Sequence, residues 1–122
     1  MEASASRLVV NMMQGVAVVH FTDAKVTDQR NINQIGEELM ALVEKSNVRK
    51  MVINLDSVQY LSSAVLGKLI SLHKALRMKK GALKLCHIAP PIYEVFEITR
   101  LNRVFDICRT EAEAVESFRL GG

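Results

Sequence analysis

The chain has 122 residues, 49% of them hydrophobic and 24% charged, which suits one globular domain over 1–122 with a core at about 8–118. Its longest apolar runs, such as Met51 to Leu55, fall far short of the ~20 residues that cross a bilayer, and Met1 to Arg7 leads into no apolar stretch of the kind that marks a secretion signal. A net charge of +3, with two Tyr, four Phe and no Trp, is too little basic charge and too little aromatic surface for a dedicated nucleic-acid binder.

From the N-terminus, Leu8-Val9-Val10 and Val16 to Phe21 are β-branched runs separated by Asn11-Met12-Met13-Gln14-Gly15. The Gln-Gly pair sits where a hairpin turn needs positive φ, so two antiparallel strands are expected at about 7–12 and 16–21. Thr22 to Asn31 is polar and reads as a loop with a short extended piece at Lys25-Val26. Ile32, Ile35, Leu39, Leu42 and Val43 then recur at helical spacing, which predicts a helix near 31–46 closed by Ser46-Asn47. Met51 to Leu55 is apolar on both alternations, as in a central strand covered on two faces.

Asp56 to Leu61 is a connection, and Ser62 or Ser63 is placed to cap the next helix. That helix should bury Leu66, Leu69, Ile70 and Leu76, expose Lys68, Lys74 and Arg77, and stop at Gly81. Ala82 to Ile88 reads as a strand. Pro90-Pro91 opens a helix whose apolar face is Ile92, Val95, Phe96 and Ile98. Val104 to Ile107 is a short strand, and Thr110-Glu111-Ala112-Glu113 has the form of a capping box before a last helix through Phe118. The order β-β-α-β-α-β-α-β-α implies an α/β fold: a mixed sheet, antiparallel at its N-terminal hairpin and then parallel, flanked by about four helices.

No enzyme site declares itself. His20, His73 and His87 are scattered, with His20 and His87 read inside strands, and none stands at zinc spacing. Neither a dinucleotide fingerprint nor a phosphate loop is present, so neither a metal nor a cofactor is expected. Cys86 and Cys108 form no CxxC, and Cys86 falls in an apolar strand where a thiol is inert. The cysteine usage suggests a reduced, cytoplasmic setting. From Ser57 to Tyr93 there is no acid, while Lys68, Lys74, Arg77, Lys79, Lys80 and Lys84 accumulate. This stretch is either a solvated helix face whose cations suit the helix dipole or a surface matched to an acidic partner.

The run from Ile53 to Gly67 takes a buried strand through a short loop to two adjacent serines at a helix start. It resembles the STAS family, the domain of anti-anti-sigma factors, whose motif is a hydrophobic pair followed by Asp-Ser-Ser-Gly-Leu-Gly. Tyr60-Leu61 match the pair, Ser63 the phosphorylated serine, Ala64 the second serine, and Leu66-Gly67 the last two positions. Ser62 stands where the family has Asp and Val65 where it has Gly. The Gly81 turn, the stretch from Cys86 to Pro91 and the spacing of Phe96, Leu101, Val104 and Phe105 are also similar to the family.

The resemblance implies a non-enzymatic binding module. Its unphosphorylated form would bind an anti-sigma serine kinase and release a sigma factor. Phosphorylation at Ser63 would end that complex, and a serine phosphatase would restore it. The implied contact surface is Ser62, Ser63, Ala64, Val65 and Lys68, with Asp23 and Lys25 from the preceding loop. No direct nucleic-acid contact and no membrane insertion are implied. The rival reading is a structural or regulatory subunit, a scaffold or transporter-associated part, that controls no sigma factor.

Overall fold

The computed structural model describes residues 7–120. Strands β1 (Leu8–Met13) and β2 (Val16–Phe21) form the expected hairpin, with Leu8 opposite Phe21 and Met13 opposite Val16. Gln14 and Gly15 both take positive φ, +54° and +80°, the backbone that matches a two-residue turn to the twist of its strands. After the two-residue strand β3 (Lys25–Val26), helix α1 (Gln29–Glu44) begins two residues earlier than its apolar repeat suggested. The reason is Asp28, whose carboxylate accepts the Arg30 N–H at 2.8 Å. The helix ends where Asn47 turns left-handed, φ +56°.

Strand β4 (Lys50–Asn54) leads through β5 (Tyr60–Leu61) to α2 (Ser63–Met78) and β6 (Ala82–Cys86). Helix α3 (Pro90–Ile98), a 3-10 turn (Leu101–Arg103), β7 (Asp106–Cys108) and α4 (Glu111–Arg119) complete the chain. The main sheet has the order β1-β2-β4-β6-β7, antiparallel only at its first pair, and β3 pairs with β5 in a separate parallel ribbon.

Met51 and Ile53 of β4 face a large core built with α1, α2 and α3, while Val52 faces a smaller one under α4. Coverage on both faces is why this strand reads as uninterruptedly apolar. Along α2, Val65, Leu66, Leu69, Leu72 and Leu76 are buried, Ile70 is half-buried, and Lys74 and Arg77 are exposed.

Several expectations need correction. Gly81 is not the left-handed residue that ends α2; Lys80 is, at φ +63°. Glycine is needed one position later for space, because a Cβ on Gly81 would lie 2.2 Å from the Arg49 carbonyl oxygen. Lys84 is not a surface cation. It is buried under α4, with Asp106 at 3.3 Å, the Ser117 hydroxyl as acceptor and the Phe118 ring 4.5 Å away. His87 lies beyond the end of β6, exposed and left-handed at φ +56°. Ile98 is 81% exposed and Val95 also projects outward, since α3 buries only Ile92 and Phe96. Phe105 packs in the core just before β7 instead of inside it. Thr110 caps α4 by accepting the Glu113 N–H at 3.1 Å, but the Glu113 carboxylate sits 3.4 Å from Arg109.

Candidate functional site

The start of α2 is held in place by the strand ends beneath it. Asn54, buried at the exit of β4, accepts the Asp56 N–H at 2.9 Å and donates to the Glu111 carboxylate at 3.0 Å. The same carboxylate lies 3.0 Å from His20 Nε2, so β2, β4 and α4 are tied together at one point. Ser57 Oγ then donates to the Phe21 carbonyl at 2.7 Å, and the Gln59 N–H to the Ala24 carbonyl at 2.7 Å. Lys25 pairs with Tyr60 and Val26 with Leu61. These bonds bring the loop at 22–26 beside residues 57–61, directly before the helix.

Ser62 is the N-cap. Its φ and ψ are extended, −79° and 162°, and its hydroxyl oxygen accepts the Val65 N–H at 3.3 Å. The first-turn amides of Ser63 and Ala64 keep no intrahelical acceptor, and no acidic side chain occupies that turn. The helix start therefore presents free donors and uncompensated positive potential. Ser63 is exposed, and among the described residues its hydroxyl makes no hydrogen bond.

The other residues singled out in the sequence divide. Ala64 is half-buried. Val65 is 1% exposed, so it supports the site from below and offers no side-chain surface; the apolar stripe of the helix turns it inward. Lys68 is half-buried, because its aliphatic stem runs over Gly36 of α1, where a Cβ would meet its Cδ at 2.8 Å. Lys25 is exposed beside Tyr60. Asp23 accepts from Arg7 Nη1 at 3.1 Å, which draws its charge toward β1.

Sequence reasoning missed the apolar surface beside these serines. Tyr60 is 50% exposed, and a groove of about 100 Å³ runs between Tyr60, Leu61 and Leu66 on one side and Ile92, Val95 and Phe96 on the other. The signal was the apolar spacing of α3, which was read wholly as core. It also missed the knot of His20, Asn54 and Glu111, for which a lone Asn closing an apolar strand was the available sign.

A wider groove of about 600 Å³, lined in part by Asp56, His87, Tyr93, Cys108 and Arg109, opens at the ends of β6 and β7. The thiols near it are poor nucleophiles. Burial, and next to it the charge of Glu111, push Cys86 up to about 12. Burial and Asp106 raise Cys108 as well. Among the described residues no three His, Cys, Asp or Glu side chains gather to hold a metal, and no helix is long and apolar enough to cross a membrane.

The STAS domain model matches residues 8–114. BtrV of Bordetella bronchiseptica, a candidate anti-sigma factor antagonist, is 34% identical over 94 residues, covering 77% of this chain and 80% of BtrV. A candidate anti-sigma factor antagonist of Thermotoga maritima superposes with a TM-score of 0.80 at 20% identity, covering 92% of this chain and 94% of that one. The phosphorylated form of SpoIIAA, a cell-fate determinant of Bacillus, superposes with a TM-score of 0.70 at 18% identity, covering 91% of this chain and 98% of that one. With the motif at the start of α2, the order of its sheet and these likenesses in agreement, the chain belongs to the STAS domain family.

Proposed function

We propose that this protein is an anti-anti-sigma factor, a single cytoplasmic domain over 1–122 that performs no chemistry of its own and acts by binding. Unphosphorylated, it binds an anti-sigma serine kinase and so releases a sigma factor. The kinase phosphorylates Ser63, and a serine phosphatase reverses the mark. The observation that carries this reading is the division of labour between two adjacent serines. Ser62 is committed to the Val65 amide, whereas Ser63 presents an exposed hydroxyl on the first turn.

A phosphate there adds about −1.5 to −2 charges. Free amides and the helix dipole accommodate it, so the fold persists. A partner docked over the same turn would meet an uncompensated anion, at a cost of several kcal/mol, and about 1.4 kcal/mol is already tenfold in affinity. The names of the relatives support the role: BtrV is a candidate anti-sigma factor antagonist, and SpoIIAA has been solved in a phosphorylated form. The contact surface comprises Ser62, Ser63, Ala64 and Lys68, with Lys25 and Asp23 at its border and Val65 beneath.

The test is mass spectrometry after incubation with the kinase that co-purifies with the protein. Phosphate should appear on Ser63. Ser63→Ala should fold and hold its partner persistently, and Ser63→Asp should fold and release it. Phosphate on Ser62 alone, or on neither serine, would leave the scaffold or transporter-associated role as the better reading.

A further inference from the structure

At the opposite end of α2, where the parallel strands begin, two chain turns lie against each other. The Ala82 N–H donates to the Arg49 carbonyl at 2.8 Å, and Lys50 is the register partner of Ala82. The first turn contributes Lys45, Arg49 and Lys50, and the second contributes Lys79 and Lys80. Arg49, Lys50 and Lys80 border a dent of about 160 Å³ whose floor includes Gly81, Ala82 and the edge of Phe118.

Among the described residues none of these five cations pairs with a carboxylate. Glu44 is the acid nearest to them in the chain, and Glu116, on the same helix as Phe118, is taken by Arg119 at 2.7 Å. Helix ends account for only part of the cluster: Lys45 and Lys79 are the C-cap residues of α1 and α2, and Arg49 Nη1 donates to the Val43 carbonyl in the last turn of α1 at 3.1 Å. Only Arg77 stands in the last turn of α2, and α1 has no base in its last turn. Lys50 and Lys80 lie past the helix ends and are not explained in this way. Lys80 moreover holds, at φ +63°, the left-handed position that glycine or asparagine fills most cheaply, so a cation stands there against the backbone's preference.

We propose that this pole is a second docking surface, and that its occupant is an acidic segment of another protein that sets one apolar side chain in the dent between flanking carboxylates. Cationic groups around a recess with an apolar floor fit that chemistry. A nucleic acid would call for aromatic platforms on which bases stack, and the one ring here, Phe118, is buried. A flat lipid surface would pass over the recess. The 16 residues of α2 hold this pole about 24 Å from Ser63, so both surfaces can be occupied at once, and the inference stands whether or not Ser63 is phosphorylated.

The experiment is an amide-resolved NMR titration of the full chain with a ten-residue Asp/Glu peptide carrying one central Leu. Shifts should concentrate at residues 45–50 and 77–82. Affinity should fall about tenfold or more in Lys50→Glu/Lys79→Glu and about threefold when the peptide's Leu is replaced by Gly, and it should be unchanged by Ser63→Asp. Both lysines are exposed; should the charge reversal unfold the chain, Lys50→Gln/Lys79→Gln takes its place. Scattered or absent shifts, equal binding by the double variant, equal binding of the Gly peptide, or tighter binding of a single-stranded oligonucleotide or of phosphatidylserine-containing vesicles would each overturn the proposal.

Discussion

The two ends of helix α2 differ in how much of their surroundings the fold has used. At the C-terminal end, the Gly81 N–H reaches back to the Leu76 carbonyl at 2.7 Å and the Lys80 N–H to the Arg77 carbonyl at 3.0 Å, so the last carbonyls are closed off. Gly81 touches the backbone of Arg49 so closely that no side chain fits. At the N-terminal end, one serine satisfies one amide, the next serine faces solvent, and Gly67 has nothing within 4 Å of where its Cβ would stand. One glycine is demanded by packing. The other leaves a bare surface that the fold itself does not require, beside the serine that faces outward. Under the proposed function, folding uses one end of the helix and binding the other.

Substitutions along α2 can break or sharpen this contrast, each read by urea or thermal unfolding. The largest effect belongs to neither end: Leu69→Ala, in the fully buried middle, should cost about 2–5 kcal/mol. Gly81→Ala should follow at about 1–3 kcal/mol, since the new Cβ must displace backbone, which yields little. A neutral result there would show that the closed end is looser than the contact with Arg49 implies. Ser62→Ala should cost about 1 kcal/mol through loss of the cap, with phosphate transfer to Ser63 still possible. Gly67→Ala should stabilise by about 0.5–1 kcal/mol, because alanine is the better helix former and nothing obstructs it. If the same change weakens kinase binding, the bare surface serves the partner.

The smallest effect is one of pH. Burial, and secondarily Arg77, lower the pKa of His73, whose ring packs edge-on against Phe105 at 5.5 Å. The unfolded chain therefore binds the proton more readily, and stability should fall as pH drops through about 6.5. His73→Phe should flatten that slope.

Much of this was legible in the residues. Gln14-Gly15 marked the hairpin turn, and the unbroken apolar run of β4 announced cover on both faces. The two serines before an apolar repeat placed the helix start. What escaped had physical causes. The two-residue strand β5 is too short to show a period, although its partner β3 was expected as an extended piece at Lys25-Val26. Lys84 alternates away from Leu83 and Leu85, which ordinarily means solvent, but α4 covers that face and supplies the Ser117 hydroxyl and the Phe118 ring, while β7 supplies Asp106. Ile98 keeps the apolar spacing of α3 yet lies in its final turn, past the reach of the core. Gly81 looked like a conformational stop and proved to be a spatial one, a distinction that depends on where Arg49 lies in three dimensions.

The hairpin has a further consequence for the handling of the protein. Strand β1 is the outermost strand of the sheet, runs six residues in register with β2 without a bulge, and contains no charged residue and no proline. Val9 and Met12 project into solvent from it, Met12 at 62%. Natural proteins usually defend such margins with lysine, proline or an irregularity. Among the described residues the margin from Val9 to Met13 carries none of these defences, so at high concentration it is the place where one molecule would zip onto another and precipitation would start. Val9→Lys should raise the solubility limit while leaving α2 and both of its ends untouched.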